Sequence, residues 1–277
     1  MSLLEVNHLN VWFGRGRRPA VRDLSFTIEP GQRLGLIGQS GSGKSVTALA
    51  VMGLLAENAQ VTGSVRFDGR RLLGAKEAEL AQLRGRDLTM VFQEPMTALD
   101  PTMKVGRQVA EVIRLHEESS GRETRRRVIE MLDRVGLPNP GRITDAFPHQ
   151  LSGGQRQRVV LAMALMLGPR LIIADEPTTA LDVTVQAQVL ELLDAQLAAH
   201  QAACLFISHD LAVVARVCQQ VMVMLDGAVV ESGPVRQVLS QPVHPYTQGL
   251  IATARLDLAT PGARLPTVED FYAGGQR

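Results

Sequence analysis

Arg33-Leu34-Gly35-Leu36-Ile37-Gly38-Gln39-Ser40-Gly41-Ser42-Gly43-Lys44-Ser45 is the stretch on which the fold turns. A short apolar strand runs into Gly38–Ser45, which has P-loop spacing, and residues 44–55 continue as an apolar helix. Strand, loop and helix in that order are the context the pattern requires. Glycines let backbone N–H groups turn inward and approach phosphate oxygens, and the helix adds the positive end of its dipole. Lys44 can reach the β- and γ-phosphates, and Ser45 supplies a hydroxyl for Mg²⁺. The alternative is a glycine-rich helix cap. Arginine carries almost all the positive charge, with Lys44, Lys76 and Lys104 the only lysines, so a lysine kept inside this loop weighs against a mere cap.

Working outward, residues 4–13 alternate, and residues 24–28 do so again after a basic Gly/Arg turn at residues 14–18, which predicts two antiparallel strands. Residues 64–67 and 88–92 read as strands flanking a short helix at 76–83. The pattern then becomes helical. Residues 105–116 and 123–135 form two amphipathic helices, with Gly136 and Pro138 closing the second. A third helix starts at Ser152. Strand and helix alternate afterwards at 171–174, 184–199, 203–207, 211–217 and 221–225, which argues for a parallel α/β sheet. The helical stretch is therefore an insertion between sheet strands.

Leu151-Ser152-Gly153-Gly154-Gln155 lies inside that insertion. Average residue usage would place this string in a chain of this length less than about one time in a thousand. Ser152 and its glycines open a helix, where a hydroxyl and backbone donors make a ready anion site. Downstream, Leu171-Ile172-Ile173-Ala174-Asp175-Glu176 is an apolar strand ending in two carboxylates. Asp175 lies at the sheet edge where ligands collect in α/β folds, and its expected role is to hold Mg²⁺, directly or through water. Glu176 points differently and can polarise an attacking water as a general base. Alone, the pair would read as a solvated acidic turn capping the next helix; the P-loop reverses that preference.

Composition bounds the setting. The chain has 277 residues, 45% hydrophobic, enough for one large domain or two small ones. A net charge of +1 gives no global field for nucleic acid or an anionic membrane. The longest apolar run, residues 159–167, falls far short of the roughly 20 residues a membrane helix needs. Residues 1–9 mix Glu5, Asn7 and His8 into a strand pattern and are not expected to be a signal peptide. Cys204 and Cys218 fit a reducing compartment and read as small buried hydrophobes. No metal beyond nucleotide-bound Mg²⁺ is expected.

With the P-loop, the LSGGQ string and the acidic strand end in this order, the chain resembles the ATPase subunit of an ATP-binding cassette (ABC) transporter, over about residues 4–250. The resemblance implies a P-loop NTPase core with a mostly parallel α/β sheet, an N-terminal antiparallel β-subdomain and an inserted helical subdomain. The expected divisions are 1–94 for the β-subdomain and first part of the core, 95–167 for the helical signature subdomain, 168–240 for the rest of the core, and 241–277 for a short extension. It implies that Gly38, Ser40, Gly41, Ser42, Gly43, Lys44, Ser45 and Val46 bind ATP with Mg²⁺. Gln93, after the strand at 88–92, matches the glutamine that contacts Mg²⁺ and the attacking water, an assignment resting on position. His209 matches the histidine that senses the γ-phosphate; by itself, Ser208-His209-Asp210 reads better as a helix-capping turn. For the adenine the family uses an aromatic near the end of the first strand, a place filled by Phe13 with Trp12 as rival; core or surface packing is the alternative for either ring. Ser152, Gly153, Gly154 and Gln155 are implied to complete the P-loop site of a second ATPase subunit, head to tail, with Asp182 of Ala180-Leu181-Asp182 lining the interface.

Three stretches look like the peptide/nickel importer branch: residues 93–101, residues 175–188, and Pro242-Val243-His244-Pro245-Tyr246-Thr247. The last also reads as a Pro-delimited turn before a final helix, and its function is not obvious from chemistry. No cysteine follows Cys218, so the iron–sulfur tail of some branch members is not expected. The implied partners are a second ATPase subunit, two membrane-spanning permease subunits and an external or periplasmic substrate-binding protein, with this chain peripheral on the cytoplasmic face of the inner membrane and no nucleic acid. The rival readings are the ATPase of an exporter or lipoprotein-release system, and a soluble ABC ATPase acting on nucleic acid or ribosomes. DNA-repair members carry long coiled-coil insertions and translation factors two cassettes; neither is present here.

Overall fold

Alternating leucine and valine build the first strand, but not with one unbroken period. In the computed structural model, which describes residues 2–14, 19–92, 98–178, 183–254 and 271, β1 spans Leu4–Phe13. It is followed by β2 (Val21–Ile28), β3 (Arg33–Ile37), α1 (Lys44–Met52), β4 (Ala59–Phe67) and β5 (Arg70–Arg71). Next come α2 (Glu77–Leu83), β6 (Leu88–Val91), α3 (Val105–Arg114), α4 (Gly121–Arg134), α5 (Pro140–Ile143) and α6 (Gly153–Leu165). The remaining elements are β7 (Leu171–Asp175), α7 (Val183–His200), β8 (Ala203–Ile207), α8 (Leu211–Val217) and β9 (Gln220–Leu225). β10 (Ala228–Pro234), α9 (Val235–Ser240) and α10 (Pro245–Ala254) close the series. Two compact units result: Met1–Leu73 with Leu205–Arg277, and Gly74–Cys204.

In the first unit, β2, β1, β4 and β5 form an antiparallel sheet in that order. Leu4, Val6, Leu9 and Val11 are all fully buried, a pattern that changes parity between Val6 and Leu9. The register shifts there against both neighbouring strands, with His8 at φ 50. This β-bulge lets both halves of the strand bury their apolar residues on one face. Asn10 sutures it: its amide donates to the His8 carbonyl at 2.9 Å, and its oxygen accepts from the Asp23 N–H at 2.9 Å. Gly63 opposes the bulge because a Cβ there would lie 2.4 Å from the His8 carbonyl oxygen.

The same unit carries β10, β9, β3 and, from Leu205 onward, β8 side by side. β3 and β9 are parallel, pairing Leu34 with Gln220 through Ile37 with Val223, and β10 returns antiparallel to β9. Asp226 (φ 47) and Gly227 (φ 81) make the hairpin turn, the left-handed pair that an Asp-Gly dipeptide supplies. Strand β10 was not expected from the sequence, whereas β3 and β8 have the expected bounds. Helix α1 stops at Met52, short of residue 55, because Gly53 at φ 64 donates back to Ala50 and Leu49 carbonyls and ends the helix.

In the second unit β6 and β7 are parallel, Leu88 beside Leu171 through Val91 beside Ala174, and all five residues of β7 are buried. Helix α3 packs through Val105, Val109, Ala110 and Ile113, and α4 through Val128, Met131 and Leu132. The Ser120 hydroxyl accepts from the Glu123 N–H and starts α4 at Gly121. Gly106 admits the chain at Thr144, whose Cβ would lie 2.6 Å from a Cβ placed on it. Among the described residues no helix is long and apolar enough to cross a membrane.

Both cysteines are buried, and desolvation pushes the Cys218 thiol up to about 12 against the lowering field of Arg33. Since the thiolate is the nucleophile, about one part in ten thousand of Cys218 is reactive at pH 8. We predict that a thiol-reactive chromogen at pH 8 labels the native chain at least about tenfold more slowly than the unfolded chain, which should release two thiols. A rapidly titrating thiol in the folded protein would contradict this packing.

Candidate functional site

Strand β3 is buried from Leu34 to Ile37 and delivers the chain to Gly38. Gly38 has φ 152, and a Cβ on it would lie 2.3 Å from the Met224 carbonyl oxygen and 2.7 Å from the Ser42 hydroxyl oxygen. Only glycine passes through that space. Gly41 (φ 80) and Gly43 (φ 104) continue the turn, and a Cβ on Gly43 would meet the Ala20 carbonyl oxygen at 2.4 Å. The loop is braced from the β9–β10 hairpin, where the Gly227 N–H donates to the Ser42 carbonyl at 3.0 Å.

Lys44 opens α1 and is 6% exposed. A buried ammonium needs partners. Its Nζ donates to the carbonyls of Gly38 at 2.8 Å and Gln39 at 2.9 Å, back across the loop. Ser40, Gly41 and Ser45 are exposed, Ser42 and Gly43 buried, and Val46 half-buried. Residues 39–41 and Ser45 are thus the exposed part of the loop and of the first turn of α1, and Lys44 is the buried part.

Phe13 is 38% exposed although Leu9 and Val11, which share its parity, are fully buried. It is the last residue of β1, opposite Ala59; Trp12 is half-buried opposite Gln60. His209 is exposed and follows β8, whose neighbour is β3. The Ser208 N–H donates to the Leu36 carbonyl at 3.3 Å, so the chain exits of β3 and β8 lie side by side. The helix cap at this turn is Asp210, which accepts from the Ala212 and Val213 N–H groups.

The second unit holds the other candidates. Asp175 is the buried last residue of β7, and Glu176, half-buried, has φ 47, a left-handed conformation that costs a non-glycine residue energy. Ser152 caps α6: its hydroxyl accepts from the Gln155 N–H at 3.3 Å, and the Gln155 side chain accepts from the Ser152 N–H at 3.0 Å. The reciprocal box fixes the helix start while Ser152 and Gly153 stay exposed. Gly154 is required by the approach of α7, since a Cβ there would lie 2.6 Å from a Val185 methyl. Gln93 and Asp182 lie outside the described residues.

Gln157 and Tyr246 were not among the expected site residues. Gln157, 1% exposed on α6, donates to the Pro177 carbonyl at 2.6 Å, tying this helix to the turn that follows Asp175 and Glu176. Tyr246, 1% exposed on α10, accepts from the Gln39 N–H at 2.9 Å. Among the described residues no cluster of three or more His, Cys, Asp or Glu could hold a metal ion.

The ABC transporter family profile matches residues 21–179. The oligopeptide transport ATP-binding protein OppD of Salmonella typhimurium is 49% identical over 96% of this chain and 80% of its own length. OppD of Bacillus subtilis is 46% identical over 91% of this chain and 71% of its own length. Among solved structures, a dimeric post-hydrolysis state of the ATP-binding cassette MJ0796 bound to ADP and Pi superposes with a TM-score of 0.75 at 28% identity, covering 84% of this chain and 99% of that one. CbiO1 of Clostridium perfringens, part of the ABC transporter complex cbiONQ, gives 0.74 at 25% identity, covering 94% of this chain and 96% of that one.

Replacing Gln157 by Met keeps the volume but leaves the buried Pro177 carbonyl without this donor. We expect a stability loss of about 1–3 kcal/mol, read from denaturant unfolding. Unchanged stability would show that this bond contributes nothing net.

Proposed function

The chain belongs to the ABC transporter family, and we propose that it is the ATP-hydrolysing subunit of a peptide importer. The observation that carries this reading is Lys44, buried beneath a glycine-turned loop and held by the carbonyls of Gly38 and Gln39. Phosphate oxygens arriving on the loop offer the ammonium stronger, charged acceptors than neutral carbonyls, so the lysine exchanges partners on binding. Residues 38–46 then cradle the phosphates, and Phe13, exposed at the end of β1, is available to the adenine.

Mg²⁺ is what the family resemblance implies beside the nucleotide: Ser45, an exposed residue, carries a hydroxyl, and Asp175 carries a carboxylate at a strand end, both hard oxygen donors by chemistry. With Gln93 they would hold the ion, which supplies positive charge to the phosphates. Glu176 polarises the attacking water, and His209 answers to the γ-phosphate. Ser152, Gly153, Gly154 and Gln155 complete the P-loop site of a second ATPase subunit, identical or homologous, with Asp182 at the junction. ATP thereby favours a closed pair and hydrolysis an open one.

Peptide cargo is supported by the identity to oligopeptide transport proteins from two bacteria over more than nine-tenths of the chain. Membrane-spanning subunits would form the path and an external binding protein would deliver the peptide, with this chain bound on the cytoplasmic side. The divisions at 1–94, 95–167, 168–240 and 241–277 remain our reading of how these tasks are distributed.

Two variants test the assignment. Glu176→Gln should keep ATP binding and lower turnover by about a hundredfold or more; near-normal turnover would remove Glu176 from its role. Ser152→Arg should bind ATP as an isolated subunit yet fail to form the ATP-dependent dimer in size-exclusion chromatography. Loss of monomer affinity as severe as in Lys44→Ala would overturn the head-to-tail arrangement. Peptide uptake by vesicles carrying the full transporter should vanish with Lys44→Ala in every copy of this chain that the transporter holds.

A further inference from the structure

The segment Pro242–Thr247 has no part in the chemistry above, yet it ends against the phosphate-binding loop. Glu231, on β10, accepts from the Val243 and His244 N–H groups at 2.9 Å each. Burial works against its ionisation, but the Thr247 side chain beside it and these two N–H donors outweigh that and hold its carboxyl below the usual range. The His244 ring nitrogen Nδ1 accepts from the Tyr246 N–H at 3.2 Å, Pro245 opens α10, and Tyr246 is driven fully inside. At the end of this chain of contacts the Tyr246 hydroxyl accepts from the Gln39 N–H at 2.9 Å.

That N–H belongs to the peptide group between Gly38 and Gln39. The carbonyl of the same peptide group, on Gly38, accepts from the Lys44 ammonium at 2.8 Å. One peptide plane is thus gripped on both edges, by a phenol and by the lysine of the loop. Hydrogen bonds in such a series polarise one another. Burial raises the Tyr246 pKa despite the Gln39 N–H, with Asp226 adding to the rise, so the phenol stays neutral at physiological pH.

We propose that Tyr246 is a positioning residue for nucleotide binding: the Pro242–Thr247 turn holds the Gly38–Gln39 peptide, and through it Lys44, in the orientation that receives phosphate. The inference rests on the reading of residues 38–46 as the ATP site. Its consequence is preorganisation. With the peptide plane fixed beforehand, less ordering is required when the nucleotide arrives. Deleting the hydroxyl therefore weakens binding more than it slows the chemical step.

The test uses the full chain and MgATP. Tyr246→Phe should raise KM for ATP roughly three- to tenfold, the range of a single neutral hydrogen bond, with kcat within about twofold. Amide deuterium exchange should quicken in the peptide containing Gln39. A drop in Tm with KM and loop exchange unchanged would mark Tyr246 as merely structural and overturn the proposal, as would a fall in kcat alone. Should Tyr246→Phe not fold, Glu231→Gln decides, because it loosens the turn and leaves the phenol in place: KM should rise there about two- to fivefold, and an unchanged KM refutes the brace. Lys44→Ala separates the two claims. If that variant binds and turns over ATP normally, the site reading itself fails, whatever Tyr246 does.

Discussion

A buried ammonium is the constraint on which the first unit is organised. Lys44 cannot be left in a protein interior without acceptors, and backbone carbonyls of the loop immediately before it are among those it has. For Gly38 to present its carbonyl, the chain leaving β3 must take φ 152 past the Met224 carbonyl, where no side chain fits. The surroundings are shaped to the same end. The Asp226–Gly227 turn brings an N–H to Ser42, and the Ala20 carbonyl occupies the space a side chain on Gly43 would need. Hairpin, strand start and loop are distant in sequence, yet they are fitted around one charged atom.

The second unit meets a different requirement, to keep a helix N-terminus open while its body is buried. The first N–H groups of any helix lack intrahelical partners. In α6 the box between Ser152 and Gln155 uses two donors, and the first helical bond runs from the Arg156 N–H to the Ser152 carbonyl. Gly153 stays exposed and Gly154 half-buried in the first turn. Behind them, Gln157 is fastened to Pro177 and Arg158 to the carbonyls of Val135 and Gly136. The helix start is exposed at Ser152 and Gly153 while its shaft is pinned by polar bonds, and the Gln157 bond reaches the turn that carries Glu176.

Strands β3, β7 and β8 were legible because short apolar runs between turn signals have few other readings. The bulge in β1 was not, since Leu4 and Val6 on one parity and Leu9 and Val11 on the other look like imperfect alternation until strand pairing shows one buried face. Helix α1 is shorter than its apolar pattern, because Leu54 and Leu55 extend that pattern beyond the Gly53 cap. Strand β10 was missed despite a usable signal, an Asp-Gly dipeptide between Leu225 and Ala228 with apolar residues on both sides.

Candidate site residues that lie next to one another in the chain were legible for a physical reason. A phosphate cradle is made of consecutive backbone groups, so glycine spacing and one lysine write it locally. What holds the cradle is written elsewhere. Tyr246 reaches Gln39 across 207 positions, and Gln157 reaches Pro177 across 20, each by a single hydrogen bond with no spacing rule behind it. The string Pro242–Thr247 therefore looked like a family marker without chemistry. In the folded chain its residue types acquire reasons: backbone N–H groups for Glu231, a ring nitrogen to cap α10, a proline to open it, and a phenol long enough to reach the loop. One peptide group takes the phenol on one edge and Lys44 on the other, and the proposed brace would make each partner depend on the other. Loop and turn are in this sense one device, and that dependence can be seen only once the fold has brought them together.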